Sequence, residues 1–450
     1  MAKTLYIGGG RLFRRGGLER ADLLARGGRI ERIGELSPPR GAEVVDASGL
    51  AVLPGGIDNH VHFREPGLEA KEGYASGTRG ALHGGVTSVL EIQNNPPLLV
   101  DGSSCRAKLA QVGPKARTDF GIYGNLVPRS IDRLAELKPW CVGLKLFLGG
   151  STGMAGEGDY DQVDRLLAAA ARAGMLVTVH AEDNATLAAR KAGPESEAWE
   201  HGTRFRPPEA EILAVEQALA SVERHGTELH LFHLSTDRGA ELVAQAAAAG
   251  LPVSSSTCPH YLYFRAEDAR RLGNLLKVNP GIHGEEDRLA LRRHLAAGRI
   301  RAWSTDHAPH FLAEKEQDYA RAPAGIPSVD LFWPLLLTLV REGVLDLERA
   351  VSAAAEEPAR IHGLAGKGHI DEGMAADLVL VDPEGKHRVV AADLPSRAEY
   401  SPYEGVELAG WPRMTILAGE PAFIRDPRER LHFPGLPRGR RLGGDGNEDG

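Results

Sequence analysis

The sequence predicts an α/β fold, a (β/α)8 TIM-like barrel with a small β-sandwich domain built from both chain ends. Short strand-like runs alternate with Ala-rich amphipathic stretches through the middle of the chain, the order that builds a parallel sheet wrapped by helices. Both flanks instead alternate short apolar runs with Gly-rich turns, as small antiparallel strands do. The count of central strands then selects the barrel.

Strands are expected near 56–62, 86–92, 119–123, 142–147, 175–180, 228–233, 252–256 and 300–305. Between them, 159–173, 208–224, 238–249 and 285–297 read as amphipathic helices long enough for right-handed crossovers. Eight such repeats over about 300 residues match a barrel with insertions. In the flanks, 4–7, 21–24, 29–33, 43–45, 376–382 and 413–417 read as strands, and 368–374 as a turn-bounded hairpin piece. Neither flank alone has much core, and pieces of roughly 50 residues are marginal on their own. The ends are therefore expected to meet: 1–54 and 363–430 as one small β-domain, 55–362 as the barrel, and 431–450 as a disordered Pro-, Gly- and charge-rich tail. No internal repeat is evident.

Composition narrows the partners. Among 450 residues, 42% are hydrophobic and 25% charged, which excludes collagen-like, low-complexity and wholly disordered chains. A net charge of −8 without a basic block argues against nucleic acid and leaves a small-molecule substrate. The N-terminus lacks a signal-peptide core and the greasiest run, 331–340, is too short to span a bilayer, so no membrane partner is expected and the cytoplasm is the expected location. Cys105, Cys141 and Cys258 are an odd set without C-x-x-C spacing and read as reduced thiols.

The polar residues fall at strand ends. His60 and His62 close the first strand, where period-two geometry puts both imidazoles on one face. Lys145 lies in the fourth, His180 ends the fifth, His233 the sixth and Asp306 the eighth. In a barrel these ends converge on one mouth. A lone His at a strand end is commonly structural; four with an Asp at the same end make a metal site the better reading, with ligands suited to zinc or manganese. Lys145 is the least natural ligand, because an ammonium repels cations. Desolvated, its amine can add to carbon dioxide and become a carbamate whose two oxygens bridge two ions. Arg64, two residues past the His pair, points into the same mouth and offers a bidentate fork for a carboxylate.

His60-Val-His62-Phe-Arg-Glu-Pro-Gly67, Lys145-Leu-Phe-Leu-Gly-Gly-Ser-Thr-Gly153, Val179-His-Ala-Glu, His233-Leu-Ser-Thr and Asp306-His-Ala-Pro-His310 together resemble the amidohydrolase superfamily, and within it the dihydroorotases. The resemblance spans nearly the whole chain. It implies two Zn2+ per subunit, one on His60, His62, Asp306 and carboxylated Lys145, the other on Lys145, His180 and His233, with a bridging hydroxide. It implies Asp306 as the catalytic acid–base, and His62, Arg64, Asn94, Asn279, His310, Ala324 and Gly325 as substrate contacts. The implied reaction is the reversible cyclisation of N-carbamoyl-L-aspartate to L-dihydroorotate in de novo pyrimidine biosynthesis. A homo-oligomer is implied, and a carbamoyltransferase partner is left open. The similar dihydropyrimidinases and allantoinases lack the Arg in their histidine motif, so Arg64 favours an acidic ring. The alternatives are another cyclic amidase, a hydantoinase, dihydropyrimidinase or allantoinase, and a non-catalytic scaffold subunit. Departures from the usual pattern are Gln93-Asn94-Asn95, Pro280-Gly-Ile-His283 and Ser328-Val-Asp330, none at a metal position.

Overall fold

Parallel strands in chain order form the central sheet: Gly56–Val61, Val86–Glu91, Asp119–Asn125, Gly143–Phe147, Val177–His180, Leu229–Leu231, Val253–Thr257 and Ala302–Trp303. They are the first to eighth barrel strands below. Every residue in them except Ser254 is buried, as strands covered on both faces must be. This computed structural model describes residues 3–14, 16–190, 192–193 and 195–444.

The eighth strand is shorter than expected. Past Trp303, Thr305 bonds the side chain of Asp58 on the first strand, its N–H donating to Oδ1 at 3.1 Å. The chain then turns at Asp306 (φ +48°). Closure of the ring continues through a parallel bridge between Val61 and His307 and the bond from His62 N–H to His307 O at 2.8 Å.

Helix Tyr160–Ala173 shows why the outer layer forms. Asp159 caps it by accepting from the Asp161 N–H, and Gly174 ends it in the left-handed region at φ +60°. Val163, Leu166, Leu167 and Ala170 fall at i, i+3, i+4 and i+7 and make a buried stripe against the barrel. Burying each of the two leucines contributes about 1.5–3 kcal/mol. Pro208–His225, Asp237–Ala248 and Glu285–Ala296 match the other expected helices within a residue or so at each end.

Both chain ends build the β-domain. One sheet takes Arg29–Gly34, Asp22–Arg26, Thr4–Gly8 and Glu43–Asp46 in that spatial order. A seven-stranded sheet joins the ends: Leu431–His432, Glu420–Arg425, Pro412–Leu417 and Leu378–Val381 lead to Ala51–Pro54, Arg11–Arg14 and Gly17–Arg20. Leu5, Ile7, Leu23, Val52, Leu378 and Ile416 form their shared core.

Two expectations need correction. Residues 368–374 form turns rather than a strand-paired hairpin piece, because Gly368 and Gly373 hold φ of +87° and +89°; the segment meets the sheet through the Ala375–Arg29 bridge and the bonds of Gly373 N–H and Met374 O to Ile30. The stretch from 431 is not a disordered tail as far as 444. Leu431–His432 pairs with Glu420–Arg425, Arg438 reaches Glu420 Oε2 at 2.6 Å, and Arg440 N–H donates to Asp119 Oδ1 at 2.7 Å. Leu442 is 7% exposed and its N–H donates to Phe120 O at 2.8 Å. The arginines that made the segment look solvated each have an acceptor on the folded body. The remainder of the expected tail, 445–450, lies outside the described residues. Among the described residues no helix is long and apolar enough to cross a membrane. All three cysteines are free and buried.

Candidate active site

The barrel's C-terminal mouth gathers the expected ligands. His60 Nε2 and His62 Nε2 lie 3.2 Å apart, and each is 3.2 Å from Asp306 Oδ1. His180 Nδ1 is 3.1 Å from His233 Nε2. Ligand atoms of His60, His233 and Asp306 all fall within 4.8 Å of one another. Burial pushes His60 and His233 well below the usual imidazole range, which keeps their lone pairs unprotonated.

Neighbouring groups orient these rings. His62 Nδ1–H donates to Ile92 O at 3.1 Å and so leaves Nε2 facing Asp306. His180 Nε2 lies 2.9 Å from Glu182 Oε2, which leaves Nδ1 inward. Burial would raise Glu182, but Arg206, with Nε 3.0 Å from both carboxylate oxygens, and His180 outweigh it and bring it down to about 2. Asp58 accepts from His60 N–H at 3.3 Å as well as from Thr305, tying the first strand's ligand to the turn that carries Asp306. Burial raises Asp58 to about 7.

Lys145 Nζ is buried without a hydrogen-bond partner, 4.7 Å from the ring centre of Phe147 and 4.6 Å from that of Phe232. Burial lowers it to about 7, Asp306 pulling the other way. A buried amine without a partner, its pKa lowered by burial, beside imidazoles and a carboxylate, is a donor set that fits a metal site. Backbone strain concentrates here as well. Five described non-glycine residues have positive φ, and Arg64 (+63°), His233 (+44°) and Asp306 (+48°) are three of them. Such conformations cost of order 1–3 kcal/mol each and persist where the surroundings over-determine them.

Beside the ligands lies a second cluster. Arg64 is 3% exposed. Its Nη1 donates to Asn94 Oδ1 at 3.1 Å, its Nη2 is 3.3 Å from His310 Nε2, and its Nε has no partner. Burial lowers it to about 10, so it stays charged. Asn94 Nδ2 donates to Thr152 O, and Thr152 Oγ1 to Ala324 O, both at 2.9 Å. Gly325 holds φ +151°, and a Cβ there would lie 2.3 Å from Ala308 O and 2.9 Å from the His310 ring. Asn279 stands slightly apart: its Oδ1 is 3.1 Å from His201 Nε2 and its Nδ2 donates to Ser151 Oγ at 3.4 Å, next to Thr152. The structure thus brings Arg64, Asn94, His310, Ala324 and Gly325 together and links Asn279 to them through the 151–152 turn. Sequence reasoning assigned no role to Asp58, Glu182, Arg206, His201 or Lys71. Only Glu182 carried a signal, at i+2 from His180 in His-Ala-Glu.

Comparison with known proteins decides the family. The Amidohydrolase family model matches residues 51–422. The chain belongs to the amidohydrolase family. This amidohydrolase is 39% identical to a dihydroorotase of Halobacterium salinarum over 409 residues, 88% of this chain and 92% of that one. It is also 37% identical to an allantoinase of Rubrobacter xylanophilus, covering 98% of this chain and 100% of the relative. Among solved structures, an L-hydantoinase from Arthrobacter aurescens superposes with a TM-score of 0.92 at 27% identity, covering 98% and 100% of the two chains. The barrel with its added β-domain is therefore the amidohydrolase architecture.

Proposed function

We propose that this amidohydrolase is a dihydroorotase, interconverting L-dihydroorotate and N-carbamoyl-L-aspartate. One observation carries the choice of substrate. Arg64 is a buried cation that pairs with no carboxylate among the described residues, and it sits at the mouth with two polar neighbours. A guanidinium in that state is costly unless an anion completes it, and a ring carboxylate matches its fork.

His60, His62, Asp306 and Lys145 would hold one divalent cation, and Lys145, His180 and His233 a second, with Lys145 as its carbamate and zinc as the ion. Bound there, the ions would supply Lewis acidity, lowering the pKa of a water and polarising the amide carbonyl. The protein's own residues supply the rest. The 3.2 Å separation of Asp306 Oδ1 from both His60 and His62 supports a role in which it accepts the proton of the attacking water and returns it to the ring nitrogen as the C–N bond breaks. In the cyclising direction it takes the proton from the ureido nitrogen as the N–C bond forms and gives it to the departing hydroxyl, which leaves as water. Arg64, Asn94 and His310 hold the ring by its carboxylate, a contribution of orientation.

A second reading, an allantoinase, is favoured by the Rubrobacter relative, which matches over 98% of this chain and its own full length. Turnover of L-dihydroorotate, allantoin, hydantoin and dihydrouracil by zinc-loaded protein separates the two. Ring opening of dihydroorotate alone is the expected result; opening of allantoin with dihydroorotate inert overturns the substrate assignment.

A further inference from the structure

Lys71 stands outside every role assigned so far. Its ammonium lies 3.3 Å from His310 Nδ1 and 2.7 Å from Glu314 Oε1. Lysine and arginine are both donor-only and face the two ring nitrogens at the same 3.3 Å, so Lys71 can donate to Nδ1 only if the ring proton sits on Nε2, the one nitrogen with an acceptor within hydrogen-bond distance. His310 then carries its proton on Nε2, where Ala324 O accepts it at 3.1 Å. Burial, followed by Arg64, Lys315 and Lys71, holds His310 far below the usual imidazole range. The ring therefore has a single proton whose position is decided by its neighbours.

The opposite tautomer has an obvious sponsor. Glu314 Oε2 is 3.7 Å from Nδ1, and a carboxylate there draws the proton to that nitrogen once the ammonium is gone. Nε2 would then turn a lone pair toward Arg64 Nη2, 3.3 Å away, occupying that N–H and opposing any anion placed between them.

We propose that Lys71 is a positioning residue that fixes the Nε2–H tautomer of His310. It thereby keeps Arg64 Nη2 free of an acceptor on His310, and sets beside it an Nε2–H that a carboxylate would share with Ala324 O. What the donors hold rests on the dihydroorotase reading; the tautomer does not.

Two readouts test it on the full chain. In protein labelled with 15N-histidine, with His310 assigned through His310→Gln, imidazole 15N shifts separate a protonated from an unprotonated ring nitrogen. The unsubstituted protein shows the proton on Nε2. In Lys71→Met it moves to Nδ1, and KM for dihydroorotate rises about tenfold or more while kcat stays within about twofold. Lys71→Arg restores both, and Lys71→Met combined with Glu314→Gln returns the proton to Nε2. Lys71→Ala provides the same comparison should the Met variant not fold. Nδ1–H in the unsubstituted protein, an unmoved proton in the Met or Ala variant, or an unchanged KM where the proton has moved overturns the proposal. If dihydroorotate is not a substrate at all, the functional reading fails while the 15N result still decides the tautomer.

Discussion

Replacing Arg64 by Met should separate function from stability. Two charge-assisted bonds to a substrate carboxylate, at about 1.5–3 kcal/mol each, disappear. A combined loss of about 3–6 kcal/mol lowers kcat/KM for dihydroorotate by about a hundred- to ten-thousand-fold or more. Folding should respond differently. Burial depresses the Arg64 guanidinium from its ordinary value to about 10, and a shift of that size corresponds to about 3 kcal/mol of penalty on the charged form. Removing the charge relieves that penalty, while Asn94 Oδ1, left without its donor, takes back about 1–3 kcal/mol. Ligand-free Arg64→Met should therefore melt at or above the unsubstituted temperature. Initial rates of dihydroorotate opening and differential scanning calorimetry on the same metal-loaded samples make the test. A loss of activity accompanied by a fall of several degrees in Tm, or a rate reduced less than threefold, refutes the carboxylate-clamp argument.

Asp306→Asn should lower kcat for dihydroorotate by about 10²–10⁴, the usual contribution of a positioned acid–base group, with single-turnover rates distinguishing lost chemistry from lost binding. Because burial holds Lys145 near 7, its reactive free base grows as pH rises through that value, so zinc reconstitution of stripped protein with bicarbonate should be faster at pH 8 than at pH 6; rates independent of bicarbonate count against the carbamate. Gly325→Ala places a Cβ 2.9 Å from the His310 ring in a backbone conformation hostile to side chains, so KM for dihydroorotate should rise while zinc content by atomic absorption stays unchanged. Glu182, held down from 4.5 to about 2 by Arg206 and His180, contributes about 3 kcal/mol that is present above pH 4.5 and lost as pH falls toward 2; urea midpoints of Glu182→Gln in that window should fall less steeply than those of the unsubstituted chain.

Much of the barrel was legible because its strands are continuous apolar runs that end in chemistry-bearing residues. Gly143-Leu-Lys-Leu-Phe147 could be read as a strand and as a site at once. What escaped were places where a side chain does the work of a ladder. The eighth strand stops at Trp303 because Asp58 takes the bonds of Thr305, and a carboxylate inside a strand announces no such partner. The segment from 431 looked solvated because composition registers the charge of Arg438 and Arg440 but not the acceptors, Glu420 and Asp119, that receive their guanidinium groups.

The site divides in the same way. Ligand-type residues at strand ends are visible because the chemistry demands particular residue types at a particular place in the repeat. The groups that orient them need only one acceptor or donor within about 3 Å, and many residue types at many sequence distances supply that. Glu182 lies two residues from its histidine, while Lys71 and His310 are far apart in the chain and meet only once the barrel closes. The backbone records both classes together: Arg64, His233 and Asp306 each hold positive φ, which a strand continuing straight would avoid. At each of these residues the chain leaves the ladder to aim a side chain across the mouth. The cost of that departure is borne by the surrounding packing and by bonds such as those of Asp58 to the turn that carries Asp306. Removing one of those supports should therefore loosen the aim of a ligand before it unfolds the barrel.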